Sequence, residues 1–183
     1  MKVSGQWFVG PAEYGVTGNQ VAFFWPSRTP ARSEDAEQRA PEFRASRVGQ
    51  GSNFSEVAIK IFFRSRQALG PAPVGLSRLE KAEVEGRVLS KTTVRKGLER
   101  WLVRDPVFDV AAWYVSTELQ LPNGKPAILF CDKYPPVSIA ACTTGFLWHP
   151  DIVVEMRFAT KHAADWPEIF LETVRVLQLL RKV

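Results

Sequence analysis

The chain has 183 residues, with 24 Lys and Arg against 19 Asp and Glu, a net charge of +5 and a sequence pI near 9.4. An apolar share of 45% with 11% aromatics supplies a hydrophobic core and excludes wholesale disorder. No apolar run approaches the roughly 18–20 residues of a membrane helix, and the length fits one α+β domain over 1–183.

The mild excess of bases reads first as ordinary surface charge and second as a bias towards an acidic partner. The opening Met1-Lys2-Val3-Ser4-Gly5-Gln6-Trp7-Phe8-Val9 is too short and too polar for a signal-peptide core. Two locations stay open on that ground: the cytoplasm, or an exported protein whose leader is absent from this chain.

Short strands are expected first, at Gln6–Val9, Tyr14–Val16 and Gln20–Trp25, split by Gly10-Pro11 and Gly18-Asn19 and stopped by Pro26. Residues 26–52 are charged and poor in large apolar groups, which predicts an exposed loop. Within it, Gly49-Gln50-Gly51-Ser52 lacks the third glycine and the following helix of a nucleotide loop, so it reads as a turn. Asn53-Phe54-Ser55 has the form of a glycosylation sequon, which has meaning only in a eukaryotic secretory pathway. Val57, Ile59, Ile61 and Phe63 alternate and predict a strand with one buried face. After the Gly70-Pro71-Ala72-Pro73 break, Leu76–Leu89 has helical spacing weakened by Gly86.

A basic band follows: Arg87, Lys91, Arg95, Lys96, Arg100 and Arg104. Trp101 is the sole aromatic among them, so the interleaved pattern of a nucleic-acid surface is lacking, and a solvated or protein-facing surface is the better reading. Val110–Leu121 is a strand, Pro122-Asn123-Gly124-Lys125 a hairpin turn and Ala127–Cys131 its partner. Pro135-Pro136 turns the chain again, and a second hairpin of Ile139–Trp148 and Ile152–Phe158 closes around His149-Pro150-Asp151.

The last helix is the firmest element. Trp166, Phe170, Val174, Leu177 and Leu180 recur at helical spacing. Asp165 and Glu168 have the spacing of a capping box, Pro167 suits the first turn, and Arg181-Lys182 suit the negative end of the dipole. The sum is an α+β fold: an antiparallel β-sheet with a C-terminal amphipathic helix packed on one face. Residues 97–183 define it best.

Cys131 and Cys142 are the only cysteines, on strands expected to be neighbours. A disulfide is the leading reading, two buried thiols the next; a zinc site with His149 and His162 matches no usual spacing. A disulfide would place the protein outside the cytosol. Neither a G-x-S-x-G elbow nor an H-E-x-x-H motif occurs, and the scattered Ser, Asp and Glu nominate no triad, so no enzyme activity is expected. Glu155 and Asp165 offer an acid–base pair, but strand-face and cap roles explain them without chemistry. Trp148, Trp166 and Phe158 read as core, and Trp25 and Trp101 are left open.

The order of residues 97–183 also carries a resemblance. It runs Gly97-Leu98-Glu99-Arg100-Trp101, Trp113-Tyr114-Val115, an Asn-Gly turn, Ile128-Leu129-Phe130-Cys131 and Ala141-Cys142. Val153-Val154-Glu155-Met156-Arg157-Phe158 and Asp165-Trp166-Pro167-Glu168-Ile169 complete it. This resembles the C-terminal immunity domain of type VI secretion lipase immunity proteins, the phospholipase-effector (Tli-type) group. The resemblance implies a periplasmic inhibitor, close to the membrane, that binds a cognate toxin and blocks its active site or lid movement. It needs no cofactor and no catalytic residue. The toxin-facing surface is then expected in the 26–52 loop and the basic band, with Arg32, Arg39, Arg44, Arg95, Lys96 and Arg100 as contacts. The alternative from another class is an exported domain holding a small ligand or lipid in an apolar cleft between sheet and helix.

Overall fold

A computed structural model describes residues 1–14, 18–31, 57–66, 76–121, 126–131 and 141–182. The chain opens with β1 (Lys2–Val3) and β2 (Gln6–Val9), a 3-10 turn at Ala12–Tyr14, and β3 (Gln20–Phe24). β4 (Ala58–Ser65) and α1 (Leu76–Val84) precede six further strands. These are β5 (Val88–Arg95), β6 (Leu98–Asp105), β7 (Asp109–Gln120), β8 (Pro126–Cys131), β9 (Ala141–His149) and β10 (Ile152–Ala159). A 3-10 segment (Thr160–Asp165), α2 (Trp166–Leu179) and the short β11 (Arg181–Lys182) end the chain.

The main sheet has eight strands in the order β3-β4-β10-β9-β8-β7-β6-β5, and every pairing is antiparallel. It contains the expected strands from Gln20 onward, and it is wider than the two hairpins legible in the last third. The period of two in its sequences distributes side chains between two faces. One face carries Val21 and Phe23 of β3, Ile59, Ile61 and Phe63 of β4, and Ile152, Val154, Met156 and Phe158 of β10. Cys142 and Phe146, Ala127, Leu129 and Cys131, Ala112 and Tyr114, and Leu98 continue it across the sheet. Against it pack Trp166, Ile169, Phe170, Val176 and Leu177 of α2, all buried, as the helical spacing requires. The opposite face is covered at one end, where Leu79 and Ala82 of α1 meet Trp101, Val103, Ala111, Trp113, Val115 and Ile128.

Local features differ from the sequence expectation. The helix expected over Leu76–Leu89 ends at Val84, and Val88 and Leu89 enter β5. Tyr14 ends a 3-10 turn instead of entering a strand; its 15–16 continuation lies outside the described residues. Arg181 and Lys182 do not extend the helix end: they pair with Val9 and Phe8 of β2, giving a second sheet in the order β1-β2-β11. Asp165 makes no side-chain cap bond to α2. The Gly49–Ser52 segment, the Asn53 sequon, the Pro122–Lys125 turn and the Pro135-Pro136 turn lie outside the described residues, as does most of the 26–52 stretch.

The two ends of the main sheet differ. At β3 the chain doubles back: Phe24 N–H donates to the Thr29 carbonyl at 2.8 Å and Ala31 N–H to the Ala22 carbonyl at 2.9 Å, with a bridge from Phe23 to Pro30. At β5, seven of eight residues are exposed.

Candidate functional site

The basic band folds as the β5–β6 hairpin, which turns through Lys96 and Gly97. Gly97 sits at φ +78°, a conformation that glycine adopts without strain. Most of the band's charges are engaged inside the chain. Lys91 lies 3.7 Å over the Trp101 ring and pairs with Glu83 of α1. Arg87 Nε donates to Glu85 at 2.7 Å, and its Nη1 to the Arg104 carbonyl at 3.3 Å. Arg95 donates twice to Glu168 at the start of α2, once at 2.6 Å and once through Nη2. Those two bonds are the main reason that the Glu168 carboxyl is held below its ordinary range and Arg95 is raised above its own.

Of the residues expected at a partner surface, Lys96 is exposed in the hairpin turn and Arg100 is half-buried on β6, across from Thr92 and Tyr114. Arg32, Arg39 and Arg44 lie outside the described residues. The structure thus brings Arg95, Lys96 and Arg100 onto one hairpin and commits Arg95 to an internal ion pair.

A second charged seam runs along α2 and was not legible in the sequence. Asp165 Oδ2 accepts a hydrogen bond from the Trp25 indole at 2.9 Å. Glu172 is buried, with 3% of its side chain exposed, and accepts from Arg175 at 2.6 and 2.9 Å, with Arg28 at 3.9 Å. Arg175 also donates to the Tyr14 hydroxyl at 2.8 Å. Bonding to Glu172 raises Arg175 above its already high value; burial raises the Tyr14 phenol, against the lowering effect of Arg175. The seam ties Tyr14, Trp25 and Arg28 to the last helix. Its only sequence signal was the i, i+3 spacing of Glu172 and Arg175.

Cys131 and Cys142 are directly opposed on β8 and β9 and form a disulfide, both fully buried. Glu155 pairs with Arg64 of the neighbouring strand at 2.8 Å, and Asp165 is engaged by Trp25, so these two acids do not act as a pair. His149 ends β9, whereas His162 lies in the 3-10 segment. Among the described residues no group of three or more His, Cys, Asp and Glu is placed to hold a metal ion. Trp25, Trp101, Trp166 and Phe158 are buried, and Trp148 packs against the core beside Phe8 and Phe63.

The space between sheet and helix, where the alternative reading puts an apolar cleft, is filled by side chains: Trp166 and Ile169 are completely buried there, and Phe170 packs edge-on to Trp166 and tilted against Phe146. A depression of about 580 Å3 lies elsewhere, beside the end of α1, and is lined mainly by charges: Lys81, Glu85, Arg87, Arg104, Asp105 and Asp109. It has the character of surface relief around ion pairs, unlike the apolar enclosure of a lipid site.

Fold and site together define a disulfide-linked antiparallel α+β protein whose conspicuous charges are largely paired within the chain. No family model and no curated protein matches it. One solved structure shares the fold over nearly its whole length: an immunity protein of the Stenotrophomonas maltophilia type IV secretion system. Its TM-score is 0.59 at 15% identity, covering 99% of this chain and 92% of that one. At that identity the likeness is one of fold. The secretion system of that protein is type IV, whereas the residue pattern of 97–183 resembles a type VI group.

Proposed function

We propose that this chain is an immunity protein: a non-enzymatic inhibitor that binds and neutralises a secreted antibacterial toxin. The observation that carries the reading is the end-to-end fold likeness to an immunity protein. The site is consistent with it. Among the described residues many of the charged groups pair with each other, as in Lys91–Glu83, Arg95–Glu168 and Arg175–Glu172. The disulfide suits action outside the cytosol, in the periplasm.

The finer proposal is that the toxin is a type VI lipase or phospholipase effector acting near the membrane. It rests on the residue order of 97–183, and the inhibitor would cover the toxin's active site or hold its lid. The hairpin bearing Arg95, Lys96 and Arg100 is the proposed contact surface, with Lys96 exposed in its turn; Arg32, Arg39 and Arg44 are proposed to extend it.

Co-expression tests the reading. The effector encoded beside this gene, directed to the periplasm of a Gram-negative host, should arrest growth, and this chain directed to the same compartment should restore it. Growth arrest that persists at full expression of this chain would remove the immunity reading. An effector without lipase or phospholipase activity that this chain nevertheless neutralises would remove only the finer proposal.

A further inference from the structure

Among the described residues β5 is the unpaired end of the main sheet, and its backbone polarity can be read from its neighbours. Arg104 N–H donates to the Arg87 carbonyl at 2.8 Å, and the Gly97 carbonyl accepts from Thr117 of β7 at 3.0 Å. Even-numbered residues of β6 therefore bond towards β5 and odd-numbered ones towards β7. Arg100 and Leu102 stand opposite Thr92 and Ser90. Ser90 and Thr92 are thus the bonded positions, and the N–H and C=O groups of Lys91 and Thr93 point away from the sheet.

Natural edge strands are usually guarded by outward charges, bulges or covering chain. The β3 edge is covered by Thr29–Ala31. β5 has register shifts between Val88 and Ser90 and between Thr93 and Arg95, which leave Ser90–Thr93 as its regular stretch. In and beside that stretch the guarding cations are drawn aside: Lys91 onto Trp101 and Glu83 on one face, Arg95 onto Glu168 of α2 on the other. Between them lie Thr92 and Thr93, and Leu89 and Val94 stand exposed on the same strand.

We propose that β5 is the docking strand of this protein, to which the toxin adds an extended, acid-bearing segment in β-sheet register through Lys91 and Thr93. This rests on the immunity reading and specifies how the partner is held. Main-chain bonds supply affinity in this mode, and alternate side chains supply selectivity. The charge of the hairpin decides the kind of occupant. A second copy of β5, paired antiparallel about Thr92, would set Lys91 diagonal to Lys91 of the copy on the same face, which is unfavourable. A segment carrying Asp or Glu meets Lys96, exposed in the hairpin turn, with complementary charge, and can compete with Glu83 and Glu168 for Lys91 and Arg95.

The test uses the full chain with the purified effector encoded beside it. Free, the Lys91 and Thr93 amides should exchange rapidly and those of Ser90 and Thr92 slowly; in the complex, Lys91 and Thr93 should become protected. Thr93→Pro, which removes an outward donor, should bind about tenfold or more weakly while melting within a few degrees of wild type. Thr92→Pro, which removes an inward donor, should melt clearly earlier. If Lys91 and Thr93 exchange as fast in a stable complex as in the free chain, the docking strand is wrong and the immunity reading stands. If no complex forms with the wild-type chain, the immunity reading fails and the docking strand with it. If the wild type is a dimer that Thr93→Pro converts to a monomer, a second copy occupies the edge and the proposal is overturned.

Discussion

Arg95 and Glu168 lie 73 residues apart in sequence and meet in a two-bond ion pair that fastens the tip of the β5–β6 hairpin to the first turn of α2. Each side chain is about two-fifths exposed, so solvent limits the pair to about 1 kcal/mol or less despite its geometry. The Glu168 carboxyl is held below its ordinary value. A depressed carboxylate stabilises the fold above its unfolded pKa, about 4.3, and loses that contribution as pH falls through the folded value. Arg95→Ala should therefore lower unfolding free energy at pH 7, and the gap to wild type should narrow as pH falls below the unfolded value and through the lower folded one. Urea titrations at pH 7 and pH 3 measure both.

Arg175 holds a more consequential position. Its side chain is half-exposed, but its partner Glu172 is buried, and Arg28 at 3.9 Å is too distant to replace it. Arg175→Ala leaves a buried carboxylate without its close donor and removes the Tyr14 bond, so it should cost about 2–3 kcal/mol. Tyr14→Phe, which removes one hydroxyl acceptor, should cost about 1 kcal/mol. Thermal melts of the two variants should keep that order.

Gly97 combines a positive φ of +78° with a close neighbour: a Cβ placed there would sit 2.5 Å from Glu118 Cδ. The Glu118 side chain is exposed and flexible, so it can move aside, and the backbone conformation dominates the penalty. Gly97→Ala should destabilise by about 1–2 kcal/mol, and adding Glu118→Ala should recover only the smaller part. A double-mutant cycle separates the two contributions.

The Cys131–Cys142 disulfide closes a loop with a sequence separation of 11. In the chain-entropy account a loop of this size is worth about 3 kcal/mol. The double variant Cys131→Ser/Cys142→Ser should therefore unfold at markedly lower denaturant. Wild type measured with and without reductant should show the same difference, and mass spectrometry should register the two added protons.

What the sequence made legible follows from the range of the interactions. Alternation within one segment, as in Ile59, Ile61 and Phe63, identifies a strand and its buried face, whereas Val57, expected on that face, precedes the strand and packs with Phe24 and Ala58. The spacing of Trp166, Phe170 and Leu177 identifies α2 and its stripe. The same local logic misassigned Asp165 and Glu168. Their capping-box spacing is present, but their carboxylates are claimed by Trp25, 140 residues away, and by Arg95. Tyr14 looked like a strand residue because aromatic composition favours strands; Arg175, 161 residues later, holds its hydroxyl. For the candidate site, the basic band was visible as composition, but which of its charges remain accessible depends on pairing across the fold. Lys96 and Arg95 are adjacent in sequence, yet Lys96 stands exposed in the turn while Arg95 is fastened to Glu168.

The central claim is that this protein neutralises a toxin by binding it. The most direct measurement is a titration of this chain against the purified product of the adjacent open reading frame, with that product's own toxic activity as readout. The account predicts a linear fall of activity that reaches its floor at one chain per effector. Activity that is unaffected by a molar excess of this chain would contradict it.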